Sequence, residues 1–115
     1  MTVKKLMESD LFETVNIGDA SETITQPFCC DLLSIAMGKA PKGCAWVTVM
    51  GNMNTLAVAS LTEAACVILA EGVLLDEQGV KKAKEQGISV LKTALPIYQA
   101  ARMVETWLEQ NEASL

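Results

Sequence analysis

Three short apolar segments, separated by segments of helical periodicity, constrain the fold of this chain most strongly. The segments are AWVTVM (45–50), CVILA (66–70) and ISVL (88–91), and the second is apolar at every position. They recur about every 20 residues, with one helical pattern between each pair. This alternation is typical of right-handed βαβ units in a parallel sheet that is covered on both faces. The sequence therefore predicts an α/β fold of three layers, α/β/α, with a mainly parallel sheet.

Polar residues ahead of the apolar stripes predict where the helices begin. Thr2, Asp31, Asn54 and Asp76 each precede a segment of helical periodicity, and their side-chain oxygens are able to accept from the first N–H groups of a helix. Gly87 would end the helix that Asp76 begins. The predicted core stripes of the second and third helices are Leu32, Leu33, Ala36, Met37 and Ala40, and Leu56, Ala57, Ser60, Leu61 and Ala64.

Residues 1–25 are the least regular part of the chain. Residues 11–18 alternate roughly as a strand, and residues 24–30 are compatible with an extended segment. Pro27 suits an edge strand because proline lacks an N–H group for a central ladder. With 115 residues the chain is long enough for one core, so residues 1–115 are expected to form a single domain. Residues 110–115 are expected to fray.

Charge and hydropathy disfavour several classes of partner. The 14 acidic and 9 basic residues give a net charge of -5, which repels phosphate backbones and anionic lipid surfaces. No apolar segment approaches the roughly 18 residues of a membrane-spanning helix. Glu8 and Asp10 interrupt the region where a secretion signal would be apolar. We therefore expect a cytoplasmic protein that binds neither nucleic acid nor membrane and keeps its cysteines reduced.

Histidine is absent from the sequence, which removes the imidazole general base and the His-containing metal sites. Two other chemistries stay open. Glu71 and Asp76 would form an acid/base pair if their environments separated their pKa values, although Asp76 is also explained as a helix cap. Cys29 and Cys30, joined by Cys44, would form a soft-metal or redox site, although adjacent cysteines lack the C-x-x-C spacing. Structural roles are favoured for both sets, and no cofactor or metal is expected.

A candidate ligand site lies where the three predicted strands end. The segment GNMN (51–54) follows the first strand, Glu71-Gly72 follows the second and Thr93 the third. The carboxyl ends of parallel strands share one edge of the sheet, where open α/β sheets bind their ligands. The candidate ligand-binding residues are Gly51, Asn52, Asn54, Glu71, Gly72 and Thr93.

The GNMN segment has two interpretations. In the first, Gly51 relieves a tight turn and Asn54 caps the following helix, which is ordinary for these residue types. In the second, the turn holds a ligand at the helix start. An anion there would depend on backbone N–H groups or on Lys92 and Lys39, so a neutral or adenine-like group fits equally well.

The C-terminal two thirds of the chain resembles the DRTGG domain family. EGVLLDEQGVKKAKEQGISVLKTALPIYQAARMVE (71–105) looks like the closing half of that family. Its GI-x-V-L-x-T strand falls here at 87–93 and its Y-x-A-A helix at 98–101. The upstream segment 29–61 is similar to the stand-alone members, which are themselves described as similar to the N-terminal domain of HPr kinase/phosphorylase. The resemblance covers residues 26–105 and rests on moderately specific motifs.

This resemblance implies a regulatory or dimerising module with the fold of the HPr kinase N-terminal domain and no established chemistry of its own. The Asp-Arg of the family would fall within 51–54 and its Thr-Gly-Gly at 70–72, and each segment retains a single glycine. From the resemblance and the 50% apolar composition, we expect a non-catalytic homodimer. Its signal would be a small ligand such as a nucleotide, or a partner protein.

Overall fold

The computed structural model describes residues 1–113 and contains one five-stranded sheet with helices on both faces. The strands are β1 (Glu13–Asn16), β2 (Pro27–Cys29), β3 (Ala45–Thr48), β4 (Cys66–Leu69) and β5 (Ser89–Lys92). The helices are α1 (Val3–Glu8), α2 (Leu33–Lys39), α3 (Met53–Leu61), α4 (Glu77–Gln86) and α5 (Ile97–Ala113).

The sheet is mainly parallel and has the strand order β1-β5-β4-β3-β2. Strands β2 to β5 are parallel to one another, and β1 pairs antiparallel with β5. A register shift between Thr14 and Asn16 interrupts the β1–β5 ladder. Pro27 opens the edge strand β2, as its missing N–H group predicts. The predicted α/β class and parallel sheet are confirmed.

Two hydrophobic clusters, one on each face of the sheet, establish the three layers. Helices α1 and α5 cover one face, where Leu6 and Val104 are fully buried. Helices α2, α3 and α4 cover the other, where Leu56 and Ala83 are fully buried. Strand side chains alternate between the two clusters: Ala45, Val47, Cys66, Ile68 and Leu91 belong to the first, and Trp46, Val67, Leu69 and Val90 to the second.

Two of the four predicted helix caps are confirmed and two are wrong. Thr2 caps α1 and Asp76 caps α4. Helix α3 is capped by Asn52, not by Asn54, because the chain turns two residues earlier and the Asn52 side chain accepts from the N–H groups of Asn54 and Thr55. Helix α2 has no side-chain cap, because the Asp31 carboxylate is engaged by β3.

The predicted apolar stripes of α2 and α3 are only partly buried. In α2 only Ala36 is fully buried, while Leu32 and Met37 are exposed. In α3 the buried side chains include Val58 in place of the exposed Leu61. These helices are seven and nine residues long, so their contacts with neighbouring elements, rather than periodicity, decide which side chains are buried.

The final helix α5 begins directly after Pro96 and extends to Ala113. The fraying expected of residues 110–115 stays a prediction, and residues 114 and 115 lie outside the described part of the chain. Within the described residues, none of the helices combines the length and the apolar character that crossing a membrane requires.

Candidate functional site

The predicted ligand-binding residues lie at one edge of the sheet, where β3, β4 and β5 end. Residues 51–54 follow β3, Glu71 and Gly72 follow β4, and Thr93 follows β5. Because these three strands are parallel neighbours, their carboxyl ends share this edge, which we call the carboxyl edge. The topology therefore brings the six positions to the same side of the molecule.

At the start of α3, the Asn52 side chain binds backbone N–H groups of the helix, and a neighbouring segment packs against Gly51. Asn52 Oδ1 accepts from the N–H of Asn54 at 3.0 Å and from that of Thr55 at 3.2 Å. A β-carbon at position 51 would overlap the carbonyl oxygen of Leu74, so this close approach requires glycine. The Gly51 carbonyl also accepts from the N–H of Asp76 at 3.2 Å. Gly51 and Asn52 are thus explained by local packing and capping.

The turn after β4 is tied to the segment after β5. Glu71 and Gly72 both have left-handed backbones, with φ of 59° and 73°, and the N–H of Val73 donates to the Ala70 carbonyl at 3.1 Å. The N–H groups of Glu71 and Gly72 donate to the carbonyls of Leu95 and Thr93 at 2.9 and 3.0 Å. These donors are therefore already satisfied within the protein, and the exposed Glu71 carboxylate is the group left to contact a ligand.

A cavity of about 560 Å³ lies beside this turn, between the end of β5 and the loop of residues 9–13. Gly72, Thr93 and Lys92 line it. The Lys92 ammonium lies 3.7 Å from the Glu13 carboxylate. The structure thus places two of the six predicted residues in one cavity. The residues that share the edge but do not line this cavity are Gly51, Asn52, Asn54 and Glu71.

The loop of residues 9–13 is the part of this edge that the sequence did not predict. Because β1 is antiparallel to β5, Glu13 at the start of β1 lies opposite Lys92 at the end of β5. The loop contributes apolar surface from Leu11 and Phe12 and a carboxylate from Asp10. Alternation in residues 11–18 indicated a strand, but alternation carries no information on strand direction, so the signal was incomplete.

Asp31 joins the end of β2 to the end of β3. Its carboxylate accepts from the hydroxyl of the buried Thr48 at 2.7 Å and from the N–H of Val49 at 2.9 Å. Beside it, the indole N–H of Trp46 donates to the Cys30 carbonyl at 2.9 Å. These long-range bonds fix the loop before α2 against the carboxyl edge, a role that the sequence did not indicate for Asp31.

Of Glu71 and Asp76, the two carboxylates considered as an acid/base pair, Asp76 has a structural role. Asp76 Oδ1 accepts from the N–H of Gly79 at 2.7 Å as the N-cap of α4. Both Glu71 and Asp76 are exposed to solvent. Neither side chain therefore lies in a cleft that shields it from water, as an acid/base pair would require.

The four cysteines are free thiols and do not meet in one site. Cys29 is exposed, Cys30 is half-buried, and Cys44 and Cys66 belong to the core. Burial raises the pKa of the Cys44 thiol to about 11 and also raises the pKa of Cys66. Partial burial, with Asp31 nearby, raises the pKa of Cys29. Residues 1–113 hold no cluster of three or more side chains suited to a metal ion. The arrangement therefore gives no support to a cysteine-based sensor.

Comparisons with known proteins bear on the fold. The sequence matches no protein-family model, and no curated protein matches it either. The structure is similar to the crystal structure of the CBS and DRTGG domains of the regulatory region of Clostridium perfringens pyrophosphatase, complexed with its activator diadenosine tetraphosphate. The TM-score is 0.71 at 13% sequence identity, over 88% of this chain and 44% of that chain. The chain thus spans less than half of that regulatory region and shares an α/β fold with it.

Proposed function

We propose that this chain is a regulatory module of the DRTGG type, which senses a small ligand such as a nucleotide and has no catalytic activity of its own. The observation that carries the proposal is the fold shared with a pyrophosphatase regulatory region whose crystal structure holds a nucleotide activator. The resemblance of residues 26–105 to the DRTGG family supports the same assignment independently, because it rests on sequence motifs. The cytoplasmic location and the absence of nucleic-acid and membrane partners stay predictions from composition.

We infer that the ligand binds at the carboxyl edge, in the cavity beside Gly72 and Thr93. Lys92 provides the cation for a phosphate. Its ammonium lies 3.7 Å from the Glu13 carboxylate, so a phosphate would compete with Glu13 for Lys92. Leu11 and Leu74 provide apolar surface for a base. In this proposal Glu71 contacts the ligand from the rim, while Gly51, Asn52 and Asn54 shape the edge.

A thermal-shift titration of the purified chain against ATP, ADP, AMP and diadenosine tetraphosphate tests the ligand. A nucleotide at a hundred times its dissociation constant should raise the unfolding free energy by about 2.7 kcal/mol. Lys92→Gln should weaken that binding about tenfold, because it removes a charge-assisted contact worth roughly 1.4 kcal/mol.

Lys84→Gln is the matched control, because Lys84 is an exposed lysine of α4 that does not line the cavity. An equal loss of affinity in both variants would show that nucleotides bind by overall charge alone. No shift with any of the four nucleotides would contradict nucleotide sensing.

We further propose that the module is a homodimer and that α2 forms its interface. Leu32, at the N-cap of α2, exposes 54% of its surface, and Ile35 and Met37 within the seven-residue helix expose 47% and 54%. Leu32 and Ile35 are three residues apart and so lie on one side of the helix, and neighbouring exposed apolar side chains on a small domain are typical of a protein contact. Because Asp31 ties the loop before α2 to the end of β3, the interface is continuous with the carboxyl edge. A ligand that binds one dimeric arrangement more tightly would shift the population between arrangements.

Light scattering tests this second part of the proposal. The wild-type chain should have the mass of a dimer, and Ile35→Glu should have that of a monomer, because a buried carboxylate opposes association. Tyr98→Glu is the control, since Tyr98 is an exposed aromatic residue on α5, on the opposite face of the sheet. A monomeric wild type at high micromolar concentration would contradict the dimer.

A further inference from the structure

The start of α3 carries a buried hydroxyl group that has no hydrogen-bond partner. Thr55, the third residue of the helix, is fully buried. Within residues 1–113, its Oγ1 is the one buried side-chain oxygen or nitrogen that lacks a partner. Nearly all buried polar groups in proteins are paired, because an unpaired one costs free energy. The Thr55 hydroxyl therefore points to a partner from outside the chain.

The Thr55 hydroxyl lies beside the cap of α3. Thr55 and the cap residue Asn52 are three residues apart, and side chains at this spacing are neighbours on a helix surface. Helix side chains also lean toward the N-terminus, so the Thr55 side chain is directed back over the first turn. The N–H of Thr55 donates to Asn52 Oδ1 at 3.2 Å. A ligand atom in place of Asn52 Oδ1 would therefore lie close to both the N–H and the hydroxyl of Thr55.

The backbone around this cap presents unused N–H groups. Within the described residues, the N–H groups of Gly51, Asn52 and Met53 donate no hydrogen bond to the protein. Those of Asn54 and Thr55 donate to Asn52 alone. Free N–H groups at the start of a helix, together with the partial positive charge of the helix dipole, favour an anion.

Two lysines add positive charge beside this helix start. Met53, the first residue of α3, lines a cavity of about 310 Å³ together with Lys81 and Lys82 of α4. Neither lysine forms an ion pair in the part of the chain that the structure describes, and Glu85 is the one carboxylate of the lining. The start of α4, in contrast, carries the Asp76 carboxylate, which would repel an anion. Of these two helix starts, that of α3 is therefore the one suited to an anion.

We propose that the start of α3 binds a phosphate group, which displaces the Asn52 side chain from the cap. The phosphate oxygens accept from the N–H groups that now donate to Asn52 Oδ1, and from the Thr55 hydroxyl, which gains its missing partner. Hydrogen bonds to an ionised acceptor are stronger than those to a neutral amide oxygen, so a phosphate is able to replace the Asn52 carboxamide. The proposed nucleotide cavity includes neither Asn52 nor Thr55, so this site does not depend on it.

An NMR titration of the full chain with inorganic phosphate, at an ionic strength held constant with sodium chloride, tests the proposal. The amide signals of Gly51, Asn52 and Met53 should shift in a saturable manner. The amide signal of Gly87, at the far end of α4, should not shift. A parallel titration with AMP identifies the source of the phosphate. Tighter binding of AMP than of inorganic phosphate assigns the site to a phosphate ester, and weaker binding assigns it to the free ion.

Thr55→Val is the most informative variant, because it replaces the hydroxyl by a methyl group of similar size. It should weaken phosphate binding about tenfold. Without phosphate, its unfolding free energy in urea should equal or exceed that of the wild type, because no hydrogen bond is lost. Thr106→Val, which removes an exposed hydroxyl of α5, is the matched control and should leave the phosphate affinity unchanged.

Three further variants separate this site from overall charge and from the nucleotide cavity. Asn52→Asp retains an acceptor for the cap but repels the anion, so it should abolish the saturable shift. Gln110→Glu adds the same charge at an exposed position of α5 and should leave the phosphate affinity nearly unchanged. Lys92→Gln alters the nucleotide cavity and should leave the phosphate affinity at α3 unchanged.

Several results would overturn the proposal. The first two are the absence of any saturable shift and equal phosphate affinities of Thr55→Val and the wild type. Equal losses in Asn52→Asp and Gln110→Glu would mean that phosphate responds only to net charge. Equal losses in Lys92→Gln and Thr55→Val would assign the phosphate to the nucleotide cavity. Losses in Thr55→Val and Asn52→Asp, with the controls unchanged, support the site.

Discussion

The two edges of the same sheet use their polar residues in opposite ways. At the carboxyl edge the side chains of Asp31, Asn52 and Asp76 all accept hydrogen bonds from the protein itself. At the amino edge, where residues 22–25 meet the loops before β3, β4 and β5, the Glu22 carboxylate forms no ion pair within residues 1–113. Partial burial raises its pKa, the charges of Asp19 and Glu63 raise it further, and Lys42 lowers it. A polar side chain that already accepts hydrogen bonds within the fold is therefore a weaker candidate for ligand contact than one that does not. Four sets of variants probe this contrast, from the largest expected effect to the smallest.

Gly51→Ala should have the largest effect on stability, because its β-carbon would overlap the carbonyl of Leu74 and push apart the two segments of the carboxyl edge. We expect a loss of about 2–3 kcal/mol in the unfolding free energy, measured by urea denaturation. Gly38→Ala is the control, because a β-carbon at this position in α2 meets open space. It should be neutral or slightly stabilising. Equal stability of the two variants would show that the close approach at Gly51 is not required.

Asp31→Ala should destabilise the protein by about 1–2 kcal/mol, because it leaves the buried Thr48 hydroxyl and the N–H of Val49 without their acceptor. Denaturation of the double variant Asp31→Ala/Thr48→Val, beside the two single variants, measures the coupling free energy between the two side chains. The loss of unfolding free energy in the double variant should be smaller than the sum of the two single losses, since the two side chains act as one unit. Strict additivity would mean that the bond between them contributes nothing.

Asn52→Ala and Asn54→Ala separate the observed cap of α3 from the predicted one. Loss of the Asn52 side chain removes the acceptor for two N–H groups and should cost about 1 kcal/mol. Asn54 is exposed and makes no cap, so its replacement should change stability by less than about 0.5 kcal/mol. If Asn54→Ala lost more stability than Asn52→Ala in thermal denaturation, the helix would begin two residues later than the structure shows.

Glu22 at the amino edge should make the unfolding free energy depend on pH. The effect should stay below about 1 kcal/mol because the residue is largely exposed and its charge is screened. Its pKa is raised in the folded state, so the folded protein binds the proton more tightly than the unfolded chain. This contribution should therefore increase stability as the pH falls from neutral through the raised pKa. Glu22→Gln should remove it, which urea denaturation at several pH values would measure. An identical pH profile for Glu22→Gln and wild type would contradict the pKa shift.

The sequence predicted the central part of the fold well because its signals are local. The β-branched run of β3, the continuous apolar run of β4 and the cap at Asp76 are properties of neighbouring residues. The same reasoning located the carboxyl edge and the turn at Glu71-Gly72. It failed for Asn54 because Asn52 also precedes the helix and local sequence does not distinguish the two. It failed for Asp31 because its carboxylate bonds instead to Thr48 and Val49, 17 and 18 residues further along the chain.

The sequence by itself determined the alternation of strands and helices, and with it the three layers and the parallel sheet, because apolar periodicity dictates which surfaces must be buried. Only the tertiary structure decided the antiparallel direction of β1, the place of residues 9–13 beside Lys92, and the presence of Glu22 and Glu63 in the lining of one cavity. The physical reason is distance along the chain. Whether a polar group is satisfied depends on partners tens of residues away, and no local pattern encodes their position.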